Sequence, residues 1–118
     1  MVGDEESMLK SGVLTSPNYP NDYPNNHDST QTVVVAEGKT IRYVWKDFRV
    51  EGGSCSYDWV EIVDEDGYPL MSKECGSSLP SSGTSNNHIM RVKFHTDGDT
   101  TRTGWRLEWN EECTEART

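Results

Sequence analysis

EGGSCSYDWVEI, residues 51 to 62, sets four β-forming residues (Tyr57, Trp59, Val60 and Ile62) behind a glycine pair. In a strand, successive side chains point to opposite faces. Asp58, Val60 and Ile62 then share one face, and Tyr57, Trp59 and Glu61 share the other. A carboxylate is thus in phase with two aliphatic residues that belong in a core. Something must neutralise it there.

The surroundings of this stretch are also β-type. DEDGY follows it, and Asp66-Gly67 is a strong hairpin signal, so PLMSKEC returns antiparallel. HIMRVKFHT (His88 to Thr96) alternates, with Met90, Val92 and Phe94 on one face and Arg91, Lys93 and His95 on the other. GWRLEW (Gly104 to Trp109) turns Trp105, Leu107 and Trp109 inward. TVVVA (Thr32 to Ala36) reads as a strand, EGK as a turn, and TIRYVWKDFRV (Thr40 to Val50) as a long strand. Its phase slips, because Ile41, Tyr43 and Trp45 share one parity and Phe48 and Val50 the other. A β-bulge near Lys46 and Asp47 restores a single inward face. TSPNYPNDYPNN, with three prolines and four asparagines, is loop, and so is GSSLPSSGTSNN. No window of helical length shows a 3.6 period. The pattern predicts an all-β, antiparallel sandwich or barrel.

With 118 residues the chain is one domain. The expected division is an N-terminal tail over 1–10, a domain over 11–110 and a frayed acidic tail over 111–118. Twenty acids against 11 bases give a net charge of -9. That excludes nucleic acid as the natural partner, since basic patches dominate such binding, and suits basic proteins or cations. No segment approaches the roughly 18 apolar residues of a membrane span, so no membrane insertion is expected. MVGDEESMLK has no apolar leader core, which says nothing about compartment. The cysteines are Cys55, Cys75 and Cys113, with no CxxC pair to suggest zinc. Cys55 and Cys75 flank one expected hairpin, which suits a local disulfide and an oxidising compartment. Cys113 is left over, and an odd cysteine raises a covalent link to another chain or a module boundary.

Taken in order, GVLTSPNYPNDYPNN, FRVEGGSCSYDWVEIVD, ECGSSLP, SNNHIMRVKFHTD and a GW before the last strand resemble the CUB domain family over about Gly12 to Trp109. The resemblance implies an antiparallel jelly-roll β-sandwich of two sheets in a secreted or extracellular protein. It also implies a Cys55–Cys75 disulfide and a protein-binding role. Two departures stand out. The usual second disulfide is missing, with Ser29 at one of its positions, and Gln31 replaces a customary tryptophan. The first strands are therefore expected to be held less firmly than in a typical member.

The resemblance also answers the question of the inward acid. Many CUB domains bind Ca2+ at one end of the sandwich, and Glu51, Asp58 and Asp97 stand in the three places of that motif. Tyr19 of SPNYP is matched to the tyrosine that braces the cluster. Physically, converging carboxylates either hold a proton or recruit a cation, and calcium accepts an irregular cage of oxygens. Gly98, Asp99 and Thr100 are further candidate ligands. The partner implied is a protein offering an exposed Lys or Arg to Tyr19, Glu51, Asp58 and Asp97.

Other chemistries have less support. DEDG at Asp64 to Gly67 lacks the later ligands of an EF-hand and reads as a plain turn. No catalytic signature is present: no G-x-S-x-G, no HExxH and no phosphate loop. His27, His88 and His95 are scattered, and His95 is expected as a solvated strand residue. The alternative to protein binding is a carbohydrate-binding jelly roll, with Trp59 as the outward aromatic. The expected function is a non-enzymatic, calcium-dependent binding module.

Overall fold

The computed structural model describes residues 9–113; of the tails expected over 1–10 and 111–118, residues 1–8 and 114–118 lie outside the described residues. Eight strands follow one another: β1 (Ser11–Thr15), β2 (Asp28–Val34), β3 (Lys39–Arg49), β4 (Trp59–Asp64), β5 (Pro69–Glu74), β6 (Gly83–Thr84), β7 (Ile89–His95) and β8 (Gly104–Cys113). They form two four-stranded sheets, in the orders β1-β8-β3-β6 and β2-β7-β4-β5. Every pairing is antiparallel. The result is the jelly-roll sandwich, and no helix occurs among the described residues.

The inward faces follow the parity of the sequence. Val60 and Ile62 of β4 are fully buried, as are Met90 of β7 and Trp105 and Leu107 of β8. In β3 the register slips between Trp45 and Asp47 opposite β8. That bulge lets Ile41, Tyr43 and Trp45 share the core with Phe48 and Val50 despite their opposite parity. Aromatic edges fill the centre. Trp105 meets Trp45 at 5.7 Å and Phe94 at 5.8 Å between ring centroids, and Phe94 meets Tyr23 at 5.0 Å, all nearly perpendicular. Such edge-to-face contacts add about 0.5–1.5 kcal/mol each beyond the area they bury.

Four features differ from the sequence reading. Strand β2 begins at Asp28, before the apolar TVVVA run, because pairing with β7 extends back to Asp28 opposite His95. The long serine loop contains β6, which pairs Gly83 and Thr84 with β3. Trp109 is only half-buried, lying over Gly12 at the edge of the core. Finally, β8 does not fray at residue 110. It runs to Cys113, and Glu111 keeps the inward parity of Trp105 and Leu107 at 4% exposure.

Two residues beyond Ser29, a side chain ties the two sheets. Gln31 of β2 donates from Nε2 to the Thr15 carbonyl of β1 at 3.2 Å.

Candidate metal centre

Three acids turn inward in this fold, and the way each is accommodated differs. Glu111 accepts the backbone N–H of Lys10 at 2.8 Å on Oε1 and that of Ala36 at 2.9 Å on Oε2. Asp64 accepts the N–H groups of Asp66 at 2.9 Å and Tyr68 at 3.0 Å, so the DEDG segment is a side-chain-braced hairpin turn. Burial works to raise both carboxyls. The N–H donors outweigh it and hold both below the ordinary carboxylate range.

Asp58 is the exception. It is fully buried. It accepts the Tyr23 hydroxyl at 2.7 Å on Oδ2 and the Asp97 N–H at 2.9 Å on Oδ1. These bonds do not compensate it. Burial, together with the nearby Asp97 carboxylate, pushes its pKa above the usual value. Glu51 is raised as well, first by burial and then by the charges of Asp58, Asp97 and Asp99. Its Oε1 is buried and has no hydrogen-bond partner. One ligand oxygen from each of Glu51, Asp58 and Asp97 lies within 4.8 Å of the others. Backbone donors satisfy the acids at the other two places; here negative charge converges, and the Arg102 guanidinium opposes it only from a distance.

The topology assembles this end. Asp58 immediately precedes β4, and Asp97 follows β7 by two residues. These strands are antiparallel neighbours with Trp59 opposite His95, so both acids leave the same edge of one sheet. Glu51 comes off the end of β3 in the other sheet, held by the paired Val50 and Gly76. The Cys55–Cys75 disulfide pins the loop between Glu51 and Asp58 to the end of β5. The far loop is closed by Asn26 N–H donating to the Asp97 carbonyl at 2.8 Å. All the candidate donors are oxygens, the set a hard cation such as calcium prefers.

The remaining site candidates divide. Gly98, Asp99 and Thr100 lie in the loop that leaves Asp97. Asp99 donates its N–H to Asp97 Oδ1 at 3.2 Å, and its exposed carboxylate stays outside the three-acid group. Tyr19 is corrected. Its hydroxyl donates to Asp47 Oδ2 at 2.7 Å, away from the cluster. The bracing tyrosine is Tyr23, which is 2% exposed. Its hydroxyl donates to Asp58 and also accepts the Glu51 N–H at 3.0 Å. Both tyrosines stand before a proline in one loop, so the sequence held the signal for either.

On the outer face, His95 is more than a solvated residue. Its Nδ1 lies 2.7 Å from Asp28 Oδ1, and its ring stacks on Trp59 at 5.4 Å. Lys73 sits 4.4 Å from the centre of the same indole. Trp59 is thus engaged by two neighbours of its own chain. Cys113 is exposed at the end of β8, outside the domain disulfide.

A family model for the CUB domain matches residues 3–109. Rat (Rattus norvegicus) cubilin is 37% identical over 101 residues, covering 84% of this chain and 3% of that protein. Human (Homo sapiens) mannan-binding lectin serine protease 1 is 30% identical over 113 residues, covering 90% of this chain and 16% of that one. The chain therefore spans only a small part of the curated relatives it matches. Among solved structures, the MASP-1 CUB2 domain bound to Ca2+ superposes with a TM-score of 0.77 at 27% identity, covering 84% of this chain and 90% of that one. The full extracellular region of zebrafish Gpr126/Adgrg6 superposes with a TM-score of 0.80 at 27% identity, covering 87% of this chain and 14% of that one. An extracellular setting agrees with the Cys55–Cys75 disulfide. The match over nearly the whole folded chain, the two-sheet topology and the placement of that disulfide agree: the chain belongs to the CUB domain family.

Proposed function

We propose that this extracellular interaction module binds calcium through Glu51, Asp58 and Asp97 and uses the calcium-ordered end to hold a Lys or Arg side chain of a partner protein. The observation that carries the reading is the convergence of the three carboxylates within 4.8 Å, with a buried Glu51 oxygen that no donor reaches. A bound calcium would supply the missing positive charge and draw the β3–β4 and β7–β8 loops together. The relative solved with Ca2+ supports the choice of ion.

A divalent ion does not use up the lone pairs of three carboxylates. Those left facing solvent accept charge-assisted bonds from an ammonium or guanidinium group. Tyr57, next to Asp58, is 51% exposed and its ring lies over Gly53 of the same loop. It offers an aromatic wall for the aliphatic stem of the incoming base. The net charge of -9 steers such a partner at long range, so association weakens as salt rises. Sugar stacking on Trp59 fares worse, because His95 and Lys73 already occupy its surroundings.

The test uses Nα-acetyl-lysine methylamide as probe in an NMR titration of the 15N-labelled chain. With calcium present, the amide signals of Tyr57, Asp58, Asp97 and Gly98 should shift saturably. They should not shift with the neutral norleucine analogue, nor in excess chelator. Equal shifts for both probes, or shifts indifferent to calcium, contradict the basic-partner reading.

A further inference from the structure

Around the bend from the acidic cluster lies a cleft of about 370 Å3, lined by Arg49, Val50, Gly52, Gly76, Ser77 and Arg102. Its floor is backbone. Val50 and Gly76 exchange N–H···O bonds of 2.9 and 2.8 Å. A Cβ on Gly52 would stand 3.8 Å from the Gly76 Cα, and one on Gly76 would meet nothing within 4 Å. The cleft is open because two glycines leave it unfilled.

Two guanidinium groups flank this floor, and each is only partly neutralised. Arg49 Nε lies 3.6 Å from Asp47 Oδ1, and the Arg49 side chain is 62% exposed. The Asp47 oxygens already accept the Tyr19 hydroxyl at 2.7 Å and the Phe48 N–H at 2.9 Å. Arg102 donates from Nη1 to the Thr101 carbonyl at 2.9 Å. Among the described residues no carboxylate lies within ion-pair distance of it, and its charge acts on Glu51 only from farther off. In a chain with 20 acids, two arginines with charge to spare line one small cleft, beside the exposed hydroxyl-bearing Ser77.

We propose that this cleft is an anion subsite that takes a carboxylate of the same protein partner whose basic side chain the calcium end holds. The inference rests on the calcium-dependent reading for the partner but not for the cleft itself. Glu51 lies in the chain between Val50 and Gly52, so the negative and positive subsites adjoin. A guanidinium offers paired donors that match a carboxylate, and a hydroxyl adds a third. The partner recognised is therefore a segment carrying a base and an acid close together. A partner with two bases meets repulsion from Arg49 and Arg102, and one with two acids meets it from the cluster.

The experiment titrates the 15N-labelled full chain, with calcium, with Nα-acetyl-glutamate methylamide, using the glutamine analogue as control. The Gly52, Gly76 and Ser77 amides and the Arg49 and Arg102 side-chain signals should shift saturably with glutamate only. Arg49→Gln should weaken that response roughly fivefold while leaving the Nα-acetyl-lysine methylamide response intact. The lysine probe thus reports on the calcium end separately. Equal shifts with glutamine, or an Arg49→Gln response equal to wild type, overturn the subsite. So does saturable binding there of a sulfated disaccharide with no response to glutamate, which would make the ligand a glycan.

Discussion

Asp58→Ala is expected to lower the melting temperature in excess chelator by about 8 °C, and to leave the chain without any response to calcium. Two separate losses are involved. The substitution orphans the Tyr23 hydroxyl and the Asp97 N–H, which now share the two Asp58 oxygens. Each buried unsatisfied group costs about 1–3 kcal/mol. Relief of repulsion with Glu51 and Asp97 offsets part of that, leaving about 2 kcal/mol, or about 8 °C for a domain of this size. The second loss is the ligand. Asp58→Asn separates the two, because the amide keeps an acceptor while giving up the charge. It should melt close to wild type in chelator and be equally blind to calcium. Thermal unfolding of the three chains with and without calcium checks this; an Asp58→Asn chain that calcium still stabilises removes Asp58 from the metal site.

Gly104→Ala should be more damaging still, although Gly104 is no part of the acidic cluster. Gly104 opens β8 with φ of 92°, a conformation that costs an alanine of order 1–3 kcal/mol. Its added Cβ would also overlap Ser16 Oγ and stand 2.8 Å from Ser16 Cβ. Ser16 is 1% exposed and joins β1 to β8 twice: its Oγ accepts the Trp105 N–H at 2.9 Å, and its own N–H donates to the Trp105 carbonyl at 3.0 Å. Moving Ser16 breaks that clasp above the central tryptophan. The expected loss is about 3–5 kcal/mol in urea unfolding. Adding Ser16→Ala removes the clashing oxygen but keeps the Cβ, so the double variant should recover only part of it. Gly104→Ala with wild-type stability would show that the β1–β8 clasp tolerates displacement.

How far the sequence reached can be judged from particular residues. The strand parity that turned Asp58 inward was legible, because a period of two is local and a slip would expose Val60 and Ile62. So was the β3 bulge, since Phe48 and Val50 broke parity with Trp45 over only a few residues. The meeting of Glu51, Asp58 and Asp97 followed from a family resemblance, and the geometry has these three acids at one end of the sandwich. The choice between Tyr19 and Tyr23 was not legible. Both precede proline in one loop, and which hydroxyl reaches Asp58 depends on how that loop crosses the sandwich. Glu111 escaped for a related reason: an acid near a chain end reads as a tail until the donors from Lys10 and Ala36 are known. Those partners are 101 and 75 residues away along the chain. The arginine cleft is wholly tertiary, joining Arg49 at the end of β3 with Gly76 and Arg102 from two later segments.

Calcium binding by the folded chain is the property on which the rest depends. Differential scanning calorimetry of the chelator-stripped protein, with and without about 10 mM calcium, measures this. Extracellular sites commonly bind with dissociation constants of roughly 10⁻⁴–10⁻³ M. At about ten times that constant, binding only to the folded state adds about 1.4 kcal/mol, a rise of about 5 °C. Chelator should reverse the shift. A melting temperature that neither calcium nor chelator moves would contradict the account at its centre.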